Sequence, residues 1–313
     1  MFCGTPEFAV PTLEAVIAAG HEVRLVVTQP DRAAGRGMGI LASPVKRVAL
    51  ERGIEVVQPE KIKSNAEFRA RLEGLRTGGS LDAILVVAYG RILPPWMLEL
   101  PQLGCINLHG SLLPKYRGAA PIQWAVANGE RETGVTTMRI DEGLDTGPIL
   151  LAERRMIAPE ETAADLYESL AEVGARLMVK TLHGLAEGTI TPVAQDDAKA
   201  TLAPILTRED GAIDFARGAR NIHDRWRGFQ PWPGAWTMLR GKKLTVHRMR
   251  VGAEPGITAG MVEMRGEAMV VGCGDGEAVV FDEVQMEGKR RMGAGEFLRG
   301  FQVRPGERVG VPL

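Results

Sequence analysis

A doubly wound, mostly parallel α/β sheet followed by a small β-barrel is the fold this sequence predicts, on three observations. Over the first two-thirds, short apolar strands alternate with amphipathic helices. The segment Asp82 to Ala88 is apolar enough to be a central strand covered on both faces. After residue 204 the helical rhythm gives way to strands separated by Gly-rich turns. A chain of 313 residues also exceeds one ordinary domain. We therefore expect an α/β domain over 1–188, a linker over 189–206 and a barrel of the oligonucleotide-binding type over 207–313.

The elements follow in order. A stub of strand precedes Gly4, and Pro6 to Ala19 reads as a helix with Leu13, Val16 and Ile17 inward and Gly20 as its stop. Glu22 to Thr28 is a strand, Pro44 to Arg52 a helix ended by Gly53, Ile54 to Val57 a strand and Ala66 to Arg76 a helix. Past the central strand come a short helix near Pro95 to Leu100, the strand Cys105 to His109 and a helix from Ala120 to Asn128. Strands around Val135 to Ile140 and Ile149 to Met156 and a long helix from Glu161 to Glu187 complete the domain. Thr189 to Pro204 has no clean period and reads as a connection. Leu244 to Arg250, Gly260 to Met264, Met269 to Cys273 and Ala278 to Gln285 then form the barrel strands, with a short helix at Ala294 to Arg299.

Composition removes several classes. The longest apolar stretch, Leu81 to Tyr89, contains Asp82 and is far shorter than the roughly 20 residues that span a bilayer. The start lacks the basic and apolar regions of a secretion signal, so a cytoplasmic location is expected. Cys3, Cys105 and Cys273 are widely spaced and form no metal or dithiol pattern. From residue 207 onward 17 Lys+Arg stand against 14 Asp+Glu, whereas upstream 21 stand against 25. That mild asymmetry suggests a polyanionic partner for the C-terminal part.

Chemistry first shows at Cys105-Ile106-Asn107-Leu108-His109. Side chains alternate along a strand, so Asn107 and His109 share one face at its exit, where sites of such sheets lie. A lone histidine at a strand end is ordinarily a capping or structural group. The adjacent amide, the polar turn Gly110-Ser111 and a downstream acidic loop, Asp141-Glu142-Gly143-Leu144-Asp145-Thr146-Gly147, shift that balance. A carboxylate from Asp145 beside His109 would orient the ring and favour its protonated form.

These residues carry a resemblance. Asn107 to Pro114, Arg117 to Gln123 and Gly143 to Gly147 are similar to the folate-dependent formyltransferases. Gly4-Thr5-Pro6-Glu7-Phe8, Thr28 to Arg32, Gly35-Arg36-Gly37, Ser43 to Lys46, Val87 to Gly90 and Asn221 to Gly234 resemble the branch of that family that acts on methionyl initiator tRNA. The similarity runs nearly end to end, with two departures. Only three residues precede Gly4, and Met38, Gly39 and Ile40 follow Gly37 where the family carries further basic residues.

The resemblance implies a Rossmann-like catalytic domain and formyl transfer from 10-formyltetrahydrofolate to the α-amino group of methionyl initiator tRNA, by a monomer, without a metal. Asn107, His109 and Asp145 would be catalytic. Ser111, Leu112, Leu113 and Pro114, with Val87, Tyr89, Gly90 and Ile92, would hold the folate. Arg36, with Arg32, Lys46, Lys242 and Lys243, would meet the tRNA. Three other readings compete: a sugar-nucleotide or ribonucleotide formyltransferase, a formyltetrahydrofolate hydrolase with water as acceptor, and a nucleic-acid-binding protein without activity.

Overall fold

The computed structural model of the chain describes residues 1–34, 39–79, 81–253 and 255–310. They form two compact units. The first comprises Met1–Pro121, Glu132–Met156 and Tyr167–Pro204; the second comprises Ile122–Arg131, Ile157–Leu166 and the chain from Ile205.

The elements, in chain order, are β1 (Phe2–Gly4), α1 (Val10–Ala18), β2 (Leu25–Val27), β3 (Arg32–Ala34), β4 (Gly39–Leu41), α2 (Pro44–Glu51), β5 (Glu55–Val57), α3 (Ala66–Thr77), β6 (Ile84–Val87) and α4 (Pro95–Leu98). They continue with β7 (Cys105–His109), β8 (Arg117–Gly118), α5 (Pro121–Ala127), β9 (Glu132–Arg139), β10 (Ile149–Met156), α6 (Ala163–Ala186) and β11 (Leu202–Ala203). In the C-terminal part lie α7 (Ala219–Gly228), β12 (Ala235–Leu239), β13 (Lys242–Gly252), β14 (Val262–Arg265), β15 (Ala268–Gly272), β16 (Ala278–Met286), β17 (Met292–Gly293) and α8 (Ala294–Phe301).

The first unit is built on a seven-stranded sheet in the order β10-β9-β7-β6-β1-β2-β5. From β5 across to β7 the strands are parallel, and β9 and β10 add an antiparallel edge. The expected central strand is β6, with all four residues buried. Its neighbour β1 turns the chain toward β2 and β5, while β7 lies on the other side. The order therefore reverses between β1 and β6, which makes the crevice at their carboxyl ends the natural place for a ligand. The helix expected from Pro6 begins instead as a 3₁₀ turn at Glu7–Ala9 and becomes α-helical at Val10. Pro11 donates no N–H, so it fits only the first turn of the helix and fixes its start there.

The second unit holds an antiparallel sheet in the order β12-β13-β16-β15-β14, with β17 on β16. Residues 306–310 join its two edges. Val262 N donates to Glu307 O (2.7 Å), Val309 N to Gly260 O (2.9 Å) and Gly310 N to Met238 O (3.2 Å). A sheet whose edge strands share one partner segment is closed, so the barrel is present. Its interior is packed with Leu244, Val246, Met249, Val271, Val279, Phe281 and Phe297. Along β13 the inward positions switch from 244 and 246 to 249, because an irregularity against β16 between Val246 and Met249 shifts the phase by one residue.

Helix α7 and strand β12 have no counterpart among the expected elements. Ile222 lies on the buried face of α7, but so do His223, Asp224 and Arg227. Arg227 donates to Asp224 Oδ1 (2.6 Å) and to the carbonyls of Glu161 (2.7 Å) and Ala158 (3.3 Å). The Asp224 and Arg227 charges offset one another, and with polar residues on its buried face the helix carries little apolar periodicity for the sequence to display.

His223 is 1% exposed, makes no hydrogen bond at either ring nitrogen and packs at a tilt against Trp226. Burial holds its pKa below the usual histidine value, opposed by Glu160, whose carboxylate is 3.5 Å away. As pH falls through about 6.5 the unfolded chain takes up a proton at this residue and the folded chain does not, so stability is lost on acidification. We expect Tm to fall between about pH 7.5 and 5.5, and His223→Phe to flatten that slope. Equal slopes in the two proteins would contradict the assignment.

Candidate functional site

Strand β7 lies between β6, parallel to it, and β9, antiparallel. His109 faces Thr136 across the β9 pairing and is 5% exposed, while Asn107, two residues back on the same face, is half-buried. The ring of His109 is held at one end, where Nε2 lies 2.8 Å from the carbonyl oxygen of Tyr116. A carbonyl can only accept, so Nε2 carries the hydrogen. The other nitrogen, Nδ1, faces Asp145 Oδ2 at 3.5 Å. That separation exceeds a good hydrogen bond, so Nδ1 is the ring nitrogen that the backbone does not engage.

Asp145 reaches this position from a constrained loop. Its backbone is left-handed (φ 53°), a region that few non-glycine residues enter and that aspartate tolerates better than most. Its Oδ2 accepts a hydrogen bond from Gly118 N (2.9 Å). Within the loop, Asp141 Oδ1 accepts from Gly143 N (3.0 Å) and Thr146 Oγ1 (2.7 Å). Gly147 passes so close to β9 that an added Cβ would lie 1.8 Å from Arg139 O, so only glycine fits.

The turn after His109 is equally tied. Ser111 is fully buried and its Oγ donates to Lys115 O (2.6 Å). Thr136 Oγ1 donates to Ser111 O (2.7 Å) and accepts from Leu113 N (3.2 Å). Leu113 is buried, Leu112 and Pro114 are half-buried, and the Leu113–Pro114 peptide is cis.

Of the residues expected around β6, Val87 is fully buried, Gly90 is exposed and Ile92 is 89% exposed. The Tyr89 ring belongs to the core with Cys3 and Val86, and burial pushes its hydroxyl pKa up. A hollow of about 730 Å³ opens at the carboxyl ends of β1, β2 and β6, lined among others by Thr5, Gln29, Asp31, Ser43, Arg47 and Ala88. Asn107, His109 and Asp145 do not line it. It lies one strand over: Val87 pairs with Leu108, which puts Ala88 level with His109. The short motifs of the first 60 residues build its wall. Thr28 Oγ1 and Ser43 Oγ are 2.8 Å apart, and Gln58 Nε2 donates to Gln29 O (2.8 Å) and Asp31 Oδ1 (2.7 Å).

Lys46 does not line the hollow but is tied to Asp31, which does. Its ammonium donates to Asp31 and to Gln58 Oε1 (2.7 Å), and its hydrogen bond holds the Asp31 carboxyl below the usual range. A phosphate contact at Lys46 would have to compete with both. Arg36 lies outside the described residues, and Arg32 stands in β3, paired with Leu41. Lys242 and Lys243 open β13 and are exposed, with the Lys243 ammonium 4.8 Å from the Trp236 ring centre. Arg290 and Arg291 are paired with Glu296 and Glu283. Among the aromatic residues, Phe229 packs edge-on against Trp124 at 5.3 Å, whereas Trp232 is 53% exposed.

Three groups that contact His109 or Asp145 have no sequence signal: the Tyr116 carbonyl and the Gly118 amide, which are backbone groups, and Gln195, which lies in the stretch that reads as a connection and donates to Asp145 O (2.8 Å). Burial pushes the Cys105 and Cys273 thiols up to about 12 and Cys3 higher still, so none supplies a thiolate. Among the described residues no group of His, Cys, Asp and Glu could hold a metal, and no helix is long and apolar enough to cross a membrane.

Comparison with known proteins fits this geometry. Residues 1–182 match the formyl transferase family model, and residues 205–302 match the model of the formyl transferase C-terminal domain. A methionyl-tRNA formyltransferase of Acidobacterium capsulatum is 62% identical over 99% of both chains. One from Koribacter versatilis is 55% identical over 99% of this chain and 98% of its own. Among solved structures, an N-formyltransferase from Helicobacter canadensis, in complex with folinic acid and dTDP-3-aminofucose, superposes with a TM-score of 0.66 at 21% identity. That match covers 91% of this chain and 98% of the other, and it speaks for the fold. HypX from Aquifex aeolicus, in complex with tetrahydrofolic acid, gives a TM-score of 0.58 at 19% identity over 88% of this chain and 48% of its own. The chain belongs to the formyl transferase family, among its methionyl-tRNA formyltransferases.

Proposed function

We propose that the chain transfers the formyl group of 10-formyltetrahydrofolate to the α-amino group of methionyl initiator tRNA in the cytoplasm, with Asn107, His109 and Asp145 as the catalytic residues. The observation that carries the reading is the Nδ1 of His109 facing the Asp145 carboxylate at 3.5 Å, on a chain 62% identical to a methionyl-tRNA formyltransferase throughout its length.

The chemistry follows from those groups. A free α-amino group has a pKa of about 8, so much of it is neutral and nucleophilic near neutral pH. The harder demand is the negative charge that develops on the formyl oxygen, toward which the Asn107 amide can donate. His109 Nδ1 takes the proton lost by the amine and returns it to the departing folate nitrogen, while Nε2–H stays on the Tyr116 carbonyl. Asp145 stabilises the cationic ring between those two events. Leu112, Leu113 and Pro114, with backbone groups of the Val87 to Ile92 stretch, suit a flat heterocycle with an apolar face. The hollow beside Ala88 has room for part of the acceptor.

We assign tRNA contacts to Arg36, with Arg32, Lys46, Lys242 and Lys243 in support, and the catalytic and tRNA-holding roles to the parts before and after the 189–206 stretch. Arg36→Ala is expected to raise the KM for tRNA or lower kcat while sparing folate binding. Folate binding that falls as far as tRNA turnover would make the Gly35-Arg36-Gly37 segment a cofactor lid. The acceptor class is tested with a dTDP-linked amino sugar in place of tRNA. Turnover near background is expected, and turnover matching the tRNA reaction would favour a sugar formyltransferase.

A further inference from the structure

We infer that Gln195 is a positioning residue for the transfer reaction: with Arg117 it holds the backbone of Asp145 and Gly147 so that the Asp145 carboxylate stays between Gly118 and His109. The inference rests on the catalytic reading of Asp145. Its own observation is a side-chain amide used at every position. Gln195 Nε2 donates to Asp145 O (2.8 Å) and to Gly147 O (2.7 Å). Its Oε1 accepts from Arg117 Nε (3.1 Å) and Arg117 Nη2 (2.8 Å). Four hydrogen bonds on one amide fix it in a single orientation, since the flipped amide would set oxygen against two carbonyls and NH₂ against a guanidinium.

Arg117 is itself fixed. It is 7% exposed, and Nη2 also donates to Asp197 Oδ1 (2.7 Å). Its strand β8 pairs with β11, and its neighbour Gly118 supplies the amide that binds the Asp145 carboxylate. Thr201 Oγ1 accepts from Tyr116 N (2.9 Å), steadying the residue whose carbonyl holds His109. The stretch 195–203 thus touches the loop that bears Asp145 and the turn whose Tyr116 carbonyl anchors the imidazole. The two carbonyl bonds pin the left-handed backbone of Asp145, and with it the position of the carboxylate near Nδ1.

Gln195→Glu separates positioning from bulk stability. The carboxylate keeps the shape and an acceptor for Arg117, but it has no donor for the Asp145 and Gly147 carbonyls. In single turnovers with enzyme saturated in folate donor and methionyl initiator tRNA, Gln195→Glu is expected to slow transfer about 10- to 100-fold, the scale of a roughly 1 Å misplacement. KM for both substrates should stay within about threefold, because the loss lies in the transition state. Gln195→Ala should behave alike where it folds. On an Asp145→Asn background Gln195→Glu should add less than about threefold, since it acts through a carboxylate already removed. Full multiplication of the two losses, or a normal rate for Gln195→Glu while Asp145→Asn is slow, would overturn the inference and leave the catalytic reading intact. A normal rate for Asp145→Asn would overturn both.

Discussion

Replacing His109 by alanine is expected to slow formyl transfer by about 10²–10⁴-fold while folate affinity stays within about tenfold. The expectation comes from how the ring is held. Nε2 is bound to the Tyr116 carbonyl, so the imidazole has one working nitrogen, and that nitrogen points at Asp145. Alanine removes the proton carrier between amine and leaving nitrogen and leaves the Ser111 to Pro114 turn tied to Thr136 as before. A rate effect without a comparable binding effect is therefore the signature, read by single-turnover kinetics beside equilibrium folate binding. Asn107→Ala should lose nearer 10²–10³, the usual effect of one oxyanion donor. Near-normal turnover of His109→Ala would remove the residue from the mechanism.

A chain ended after Pro204 is expected to be markedly less stable than the full protein, by roughly 10 °C in Tm or more. The segments 122–131 and 157–166 lie before that cut but belong to the second unit. Trp124 packs on Phe229, and the Ala158 and Glu161 carbonyls accept from Arg227. Gly228 comes so near α5 that an added Cβ would lie 2.5 Å from Ala127 N. Losing the buried Phe229 alone costs about 3–5 kcal/mol, and each kcal/mol is worth about 2–4 °C in a domain of this size. Calorimetry of the two chains checks this, and an unchanged Tm for the shortened chain would contradict it. The tRNA surface is better probed in the full chain, by Lys242→Glu and Lys243→Glu over a salt series. For every phosphate that a substitution frees from the protein, the salt slope should fall by roughly one.

Much of the fold is legible in the sequence because apolar periodicity is what strands and helices of a layered sheet display. Cys105–His109 and Ile149–Met156 coincide with the expected strands to the residue, and most other elements agree within a few residues at either end. Reading fails where burial is polar. Helix α7 hides behind the buried His223, Asp224 and Arg227, the last of which reaches the distant Ala158 and Glu161 carbonyls. The proposed site divides in the same way. Asn107, His109 and Asp145 can be named because their residue types and their strand and loop settings point to acid–base chemistry. The groups that hold them, the Tyr116 carbonyl, the Gly118 amide and Gln195, cannot. Two are backbone atoms without a sequence identity, and the third acts across 50 residues from a stretch with no period of its own. Composition also overstates the basic surface, since Arg290 and Arg291 are paired with neighbouring acids.

The central claim is tested most directly by following a labelled formyl group from 10-formyltetrahydrofolate with the full chain and methionyl initiator tRNA, then stripping the tRNA and identifying what carries the label. The account predicts label on the α-nitrogen of methionine, dependent on the aminoacylated tRNA and absent with His109→Ala. Label released as formate at the same rate without tRNA would contradict it and would make water the acceptor.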